Sequence, residues 1–188
     1  MTNSIVSVPW GSGQLTLKLP ENWHISGILE PAVAAPLTDT DAGVRQALAE
    51  PVGLPKLEEM AGQAGPDQRV VIVMDDGSRP TPVARILPAV LEQLERAGIE
   101  RDRITLIPAL GVHRAMDAAE IEKRSGVAGL HFENPDCDHP DRLAYLGTTT
   151  RGTPVWINRS VAEAGLVISI GCIEPHIIAS FGGGYKNL

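Results

Sequence analysis

The chain has 188 residues, 43% hydrophobic and 21% charged, with a formal net charge of −7. That length suits one α/β domain, or one with a small appendage, and can bury a core without staples. The acidic balance and the lack of a lysine- or arginine-rich block argue against nucleic acid as a partner.

In chain order, Ile5, Val6 and Val8, then Gly11-Ser12-Gly13, then Leu15, Leu17 and Leu19 alternate about a glycine-rich turn, which predicts a β-hairpin over residues 1–20. Residues 21–43 read as a long connection. Short helices are expected over Val44–Ala49 and Lys56–Gly62. Arg69 to Met74 is a continuous apolar run, the mark of a buried parallel strand. The helix after it has Thr81 as candidate N-cap and Pro82 at its first position. Val83, Ile86, Leu87, Val90, Leu91 and Leu94 repeat at helical spacing, Gly98 closes the helix, and Pro88 should kink it. A second strand spans Arg103–Ile107, and Asp117 with Glu120 forms a capping box that opens a helix ending near Gly126. Residues 131–141 look irregular. Leu143–Ile157 reads as a hairpin, Asn158–Ala164 as a short helix and Leu166–Ile170 as a third core strand. The three tryptophans, Trp10, Trp23 and Trp156, are expected to pack in the core or at its edge. The fold class that follows is α/β: a Rossmann-like, mostly parallel sheet with helices on both faces over residues 66–188, preceded by the hairpin.

Chemistry-bearing residues follow three strands: Asp75, Asp76 and Arg79 after the first, His113 and Arg114 after the second, His176 and Lys186 after the third. Ligands of open α/β sheets bind beyond the carboxyl ends of the strands, so the three groups are expected to face one crevice. Two histidines on either side of a carbon centre can serve as paired acid and base. Gly182, Gly183 and Gly184 before Lys186 suggest a backbone that approaches a ligand closely. The run fails the P-loop pattern, since Tyr185 intervenes before Lys186 and Asn187 replaces the hydroxyl residue. No GxGxxG follows the first strand. His131, Cys137 and His139 lack the spacing of a closed zinc site. Cys137 and Cys172 form no CxxC pair, so a reducing cytoplasm is expected and a disulfide is not. Neither a signal peptide nor the about 20 apolar residues of a membrane span is visible.

Together these motifs have a family likeness. Asp75-Asp76-Gly77-Ser78-Arg79-Pro80-Thr81-Pro82, Ala109-Leu110-Gly111-Val112-His113-Arg114, Ile173-Glu174-Pro175-His176 and Phe181-Gly182-Gly183-Gly184-Tyr185-Lys186 resemble, in order, the signature segments of the LarA-type nickel-pincer lactate racemases. Leu146-Gly147-Thr148-Thr149 and Gly152-Thr153-Pro154-Val155 fit as well. The resemblance implies the N-terminal catalytic domain of a nickel-dependent 2-hydroxyacid racemase or epimerase. Its cofactor would be the nickel-pincer nucleotide, a Ni(II) pyridinium-3,5-bisthiocarboxylic acid mononucleotide. Lys186 matches the lysine that tethers it, and His113 and His176 match the two acid/base histidines. Asp75, Asp76 and Arg79 match residues around cofactor and reacting centre, and Gly182, Gly183 and Gly184 the loop beside the cofactor.

The family's histidine ligand to nickel and its C-terminal domain lie beyond Leu188, so no metal ligand is expected within these residues. The partners implied are a small 2-hydroxy acid or sugar acid and the missing C-terminal domain or a split partner. Val112 in place of threonine, and Ser180-Phe181-Gly182 in place of Gly-Phe-Ser, leave the hydroxy acid open. The alternative is a truncated, non-catalytic nucleotide- or carboxylate-binding module. The glycine-rich segment is expected to lack order where it ends the chain, and apolar surface left open there is expected to promote self-association.

Overall fold

The computed structural model describes residues 5–29, 34–65 and 68–188. Part of the expected connection, residues 30–33, and the expected start of the core at residue 66 lie outside the described residues. The chain divides into two units, Met1–Pro36 and Leu37–Leu188. The first holds the expected hairpin: β1 (Ile5–Trp10) and β2 (Gly13–Lys18) pair antiparallel, with Ile5 opposite Lys18 and Trp10 opposite Gly13.

The second unit begins at Leu37 because two helices ahead of the sheet belong to its core. Helix α1 (Thr40–Ala49) starts four residues before the expected position, since the Asp39 side chain accepts from the Ala42 N–H and caps it. Helix α2 (Leu57–Gln63) contributes Ala61 to the core, and Leu48 of α1 packs against it. Strand β3 (Val70–Asp75) is buried along its whole length. Helix α3 (Val83–Arg96) buries Val83, Leu87, Val90, Leu91 and Leu94 and continues through Pro88. It ends in a Schellman turn, with the Gly98 N–H on the Glu95 carbonyl at 3.0 Å and the Ile99 N–H on that of Leu94 at 2.9 Å. Strand β4 (Ile104–Ala109) follows, then helix α4 (Ala118–Ser125) with both halves of the Asp117–Glu120 capping box formed.

His131–Phe132 forms β5, a short strand inside the segment expected to be irregular. It pairs with Thr105 and Leu106 only. The sheet on that side therefore stops before Pro108, a residue with no N–H to give. The hairpin of β6 (Leu143–Thr148) and β7 (Pro154–Asn158), helix α5 (Arg159–Ala162) and strand β8 (Leu166–Ile170) complete the core. Two strands, β9 (Pro175–His176) and β10 (Ser180–Phe181), pair antiparallel, and a 3-10 turn spans Gly184–Asn187. The glycine-rich segment thus has regular structure where lack of order was expected.

The sheet is parallel, with spatial order β5-β4-β3-β8. Alternate side chains of β3 serve two cores. Val70, Ile72 and Met74 pack with α2, α3 and α4, while Val71 and Val73 meet Ile107 and Val161 of α5. The crossovers through α3 and α4 therefore cover one face and the passage through α5 the other. In chain order the four strands lie third, second, first, fourth, so the connections change face between β3 and β8. That change opens a crevice at the carboxyl ends of those two strands.

Two sequence expectations are corrected. Thr81 does not cap α3: the N-cap position is Pro82, with no side-chain bond, because the Thr81 hydroxyl donates to Asp75 instead. The tryptophans are not core residues; Trp10, Trp23 and Trp156 are exposed, the last beside Tyr145 with ring centroids 5.0 Å apart. No helix among the described residues is long and apolar enough to cross a membrane.

Ile72, fully buried in the larger core, should report on the packing of the sheet. Ile72→Ala is expected to cost about 2–5 kcal/mol of unfolding free energy in a denaturant titration. A loss well below that would mean the helices do not close on β3.

Candidate active site

Asp75 ends β3 and Asp76 follows it, with 5% and 6% exposure, yet their carboxylates face different partners. One oxygen of Asp75 accepts from the Thr81 hydroxyl and, at 3.0 Å, from the Cys172 N–H; the other accepts from the Asn187 amide at 3.1 Å. Asp75 therefore joins the end of β3 to the end of β8 and to the last turn of the chain. Asp76 accepts from the Ser78 N–H at 3.0 Å and the Ser78 hydroxyl at 2.6 Å through one oxygen, and lies 2.6 Å from His113 Nδ1 through the other. Burial pushes its carboxyl up, but the bonds from Ser78 and His113 outweigh burial and hold it below the usual carboxylate value.

A carboxylate only accepts, so His113 carries its hydrogen on Nδ1 and presents Nε2 as a lone pair when neutral. The ring stands half-exposed at the end of the loop after β4. His176 has the opposite arrangement. Its Nδ1 accepts the N–H groups of Ile178 and Ala179 at 3.2 and 3.1 Å, so the neutral ring carries its hydrogen on Nε2. One imidazole is set to take a proton and the other to donate a hydrogen bond.

The loops after β3 and β8 are tied a second time by an ion pair between Arg79 and Glu174. Arg124, which the sequence reading passed over, reaches from α4 and donates to the Asp75 carbonyl at 3.0 Å and the Arg79 carbonyl at 3.1 Å. Its lone signal in the sequence was a basic residue in the last turn of an otherwise ordinary helix. The structure thus links all three strand-end loops, through Asp76–His113, Asp75–Cys172 and Arg79–Glu174. Arg114 turns instead to Glu120, whose carboxyl it lowers to about 2.

The glycine run has a local explanation. Gly183 sits at φ +75, and a Cβ there would lie 2.7 Å from the Cys172 carbonyl oxygen, so the backbone passes too close to β8's extension for any side chain. Gly182 donates to the Glu174 carbonyl at 2.7 Å. Gly184 opens the turn that carries Lys186, whose side chain is exposed. Ser180, where the family pattern has glycine, adopts φ +64. In the loops after β4 and β8, Val112, Ile173, Ile177, Ile178, Phe181 and Tyr185 are exposed apolar side chains. Among the described residues, no three His, Cys, Asp or Glu side chains gather as a metal site.

The family described as lactate racemase N-terminal domain matches residues 10–188. A lactate racemase of Thermoanaerobacterium thermosaccharolyticum is 28% identical over 97% of this chain and 43% of its own length; one of Lactiplantibacillus plantarum is 32% identical over 77% and 34%. The chain thus spans less than half the length of the curated relatives it matches. The solved lactate racemase apoprotein from Thermoanaerobacterium thermosaccharolyticum superposes with a TM-score of 0.78 at 28% identity, covering 97% of this chain and 42% of that one. A Thermotoga maritima protein shares the fold, with a TM-score of 0.59 at 21% identity over 77% of this chain and 36% of its own.

Two measurements follow from this geometry. A carboxyl held low in the folded state stabilises above its ordinary pKa and loses that contribution as pH falls through the folded value. Denaturation of the parent chain and Asp76→Asn, from neutral pH downward, should therefore show a stability gap that is full above about 3.8 and closes below it. A gap independent of pH would refute the assignment. Ser180→Gly should raise stability by about 1 kcal/mol, because it relieves a left-handed backbone that costs an L-residue about that much; an unchanged melting midpoint would show the turn to be unstrained.

Proposed function

The chain belongs to the family of lactate racemase N-terminal domains, and on that footing we propose that it forms the proton-transfer half of a 2-hydroxyacid racemase or epimerase. The observation that carries this reading is the opposed state of the two imidazoles. Inverting a hydroxy-bearing carbon through its keto form requires a group that takes the hydroxyl proton and returns it, and a donor to the oxygen of the keto form. His113, oriented by Asp76, takes the proton at Nε2. His176, its Nδ1 engaged by two backbone amides, keeps its hydrogen on Nε2 and donates a hydrogen bond from there to the oxygen of the keto form. The proton held on His113 is the one returned when the hydroxyl re-forms.

Arg79 suits the substrate carboxylate, since a guanidinium binds a carboxylate through two parallel bonds. Glu174 holds that guanidinium in place at the mouth of the crevice. The substrate class is a small 2-hydroxy acid or a sugar acid.

The nickel-pincer nucleotide fits the donor set. Lys186 offers an exposed primary amine on an ordered turn, as a covalent tether requires. The bound cofactor would accept and return the hydride, which no side chain can carry. Its own sulfur and carbon atoms would hold nickel, together with a protein ligand outside these residues. The exposed apolar side chains of these loops support a further domain or partner chain covering the site and excluding water. Both cysteines are free thiols, in keeping with a reducing cytoplasm.

The test is co-expression with the cofactor-making enzymes, followed by intact mass, peptide mapping and nickel analysis. The expected result is one mass addition on Lys186, absent from Lys186→Ala. In the assembled enzyme, His113→Asn and His176→Asn should each lower racemisation about 100-fold or more. Addition at another residue, or full activity in either histidine variant, would overturn the reading.

A further inference from the structure

Asn187 lies next to Lys186, and its side chain turns back into the fold. In a 3-10 turn successive side chains leave the axis about 120° apart, so anchoring one residue inward fixes its neighbour outward. The structure shows that division, with Asn187 half-buried and Lys186 exposed. The turn has few other ties. The Lys186 N–H reaches the Gly183 carbonyl at 3.2 Å, and the Ser169 hydroxyl reaches the Gly184 carbonyl only at 3.5 Å. The Asn187 amide, by contrast, donates to a buried carboxylate at 3.1 Å. Space is kept for it: a Cβ on Gly171 would lie 2.6 Å from Asn187 Nδ2 and 3.3 Å from both carboxylate oxygens of Asp75.

We propose that Asn187 is a positioning residue for Lys186. By donating to Asp75 it seats the lysine-bearing turn on the ends of β3 and β8, so that the amine is presented to the group it binds. This inference rests on the reading of Lys186 as the tether. Asp75 then acts through the turn it docks, while Asp76 orients the imidazole.

The hydrogen-bond polarity gives a reciprocal test. Asp75→Asn takes the charge off the acceptor and leaves at most a neutral amide–amide bond, whereas Asn187→Asp would set one carboxylate against another. In the double exchange, the amide oxygen introduced on β3 still accepts from Thr81 and the Cys172 N–H. The NH2 of that same amide then donates to the carboxylate introduced on the terminal turn. Hydrogen exchange of residues 182–188 is followed for the parent and the three variants. The loaded fraction at Lys186 after co-expression with the cofactor-making enzymes is measured by mass.

Asn187→Asp should exchange about tenfold faster than the parent and load about tenfold less, with a smaller change for Asp75→Asn. The double variant should return to within about twofold of the parent in both. Asn187→Asp, changed at the periphery, keeps the test alive if Asp75→Asn fails to fold. The inference is overturned if Asn187→Asp exchanges like the parent, if the double variant does not recover, or if loading stays equal while exchange changes. If exchange follows the expected pattern but the parent itself does not load at Lys186, the tether reading fails while the anchor stands.

Discussion

Taking an ionised carboxylate out of water without a cation against it is unfavourable unless hydrogen bonds replace the lost hydration. Asp75 meets that condition with a hydroxyl from its own loop, a backbone amide 97 residues away and a side-chain amide 112 residues away. Each donor belongs to a different part of the site, so satisfying one buried charge fixes three segments at once. The Cys172 N–H sets where the chain leaves β8, and from there the positions of Glu174 and His176 follow. Gly171 and Gly183 lack side chains because the segments drawn together leave no room for a Cβ. Removing the carboxylate would leave the two amides without an acceptor and the Arg79–Glu174 ion pair as the remaining tie between the loops after β3 and β8.

The sheet explains why these segments meet. Strand β3 is central and buried on both faces, and the connections change side between it and β8. A loop leaving either strand must rise over the same crevice. The framework beneath is apolar and continuous, whereas the crevice is held by polar bonds. The site can thus be rearranged by a few substitutions without disturbing the core.

How much of this was legible in the sequence depended on range. Strands β3, β4 and β8 announce themselves as apolar runs, and the capping box of α4 and both long hairpins are local signals. Strand β5 was missed because two residues carry no period. Residues of all three strand ends were named from position alone, and the structure links their loops. What could not be read was how the roles divide within the pair Asp75-Asp76. In sequence they are equivalent neighbours; in space one faces Asn187 and the other His113, and only long-range contacts separate them. Asn187 was noted only as the residue that spoils a P-loop. Thr81 looked like a helix cap because a nearby cap is the commonest use of a threonine there, and the competing acceptor on Asp75 was invisible.

The position of the tryptophans has a practical side. Trp10 and Trp23 belong to the N-terminal unit, and Trp156 stands at 53% exposure on β7 beside Tyr145. None of the three indoles is enclosed by the apolar core of the sheet. Their emission is therefore expected to be that of wetted rings already in the native protein and to change little when β3 and its helices come apart. Intrinsic fluorescence is thus a poor optical gauge of this fold, and far-ultraviolet circular dichroism, which sees the helices packed on the sheet, is the better one.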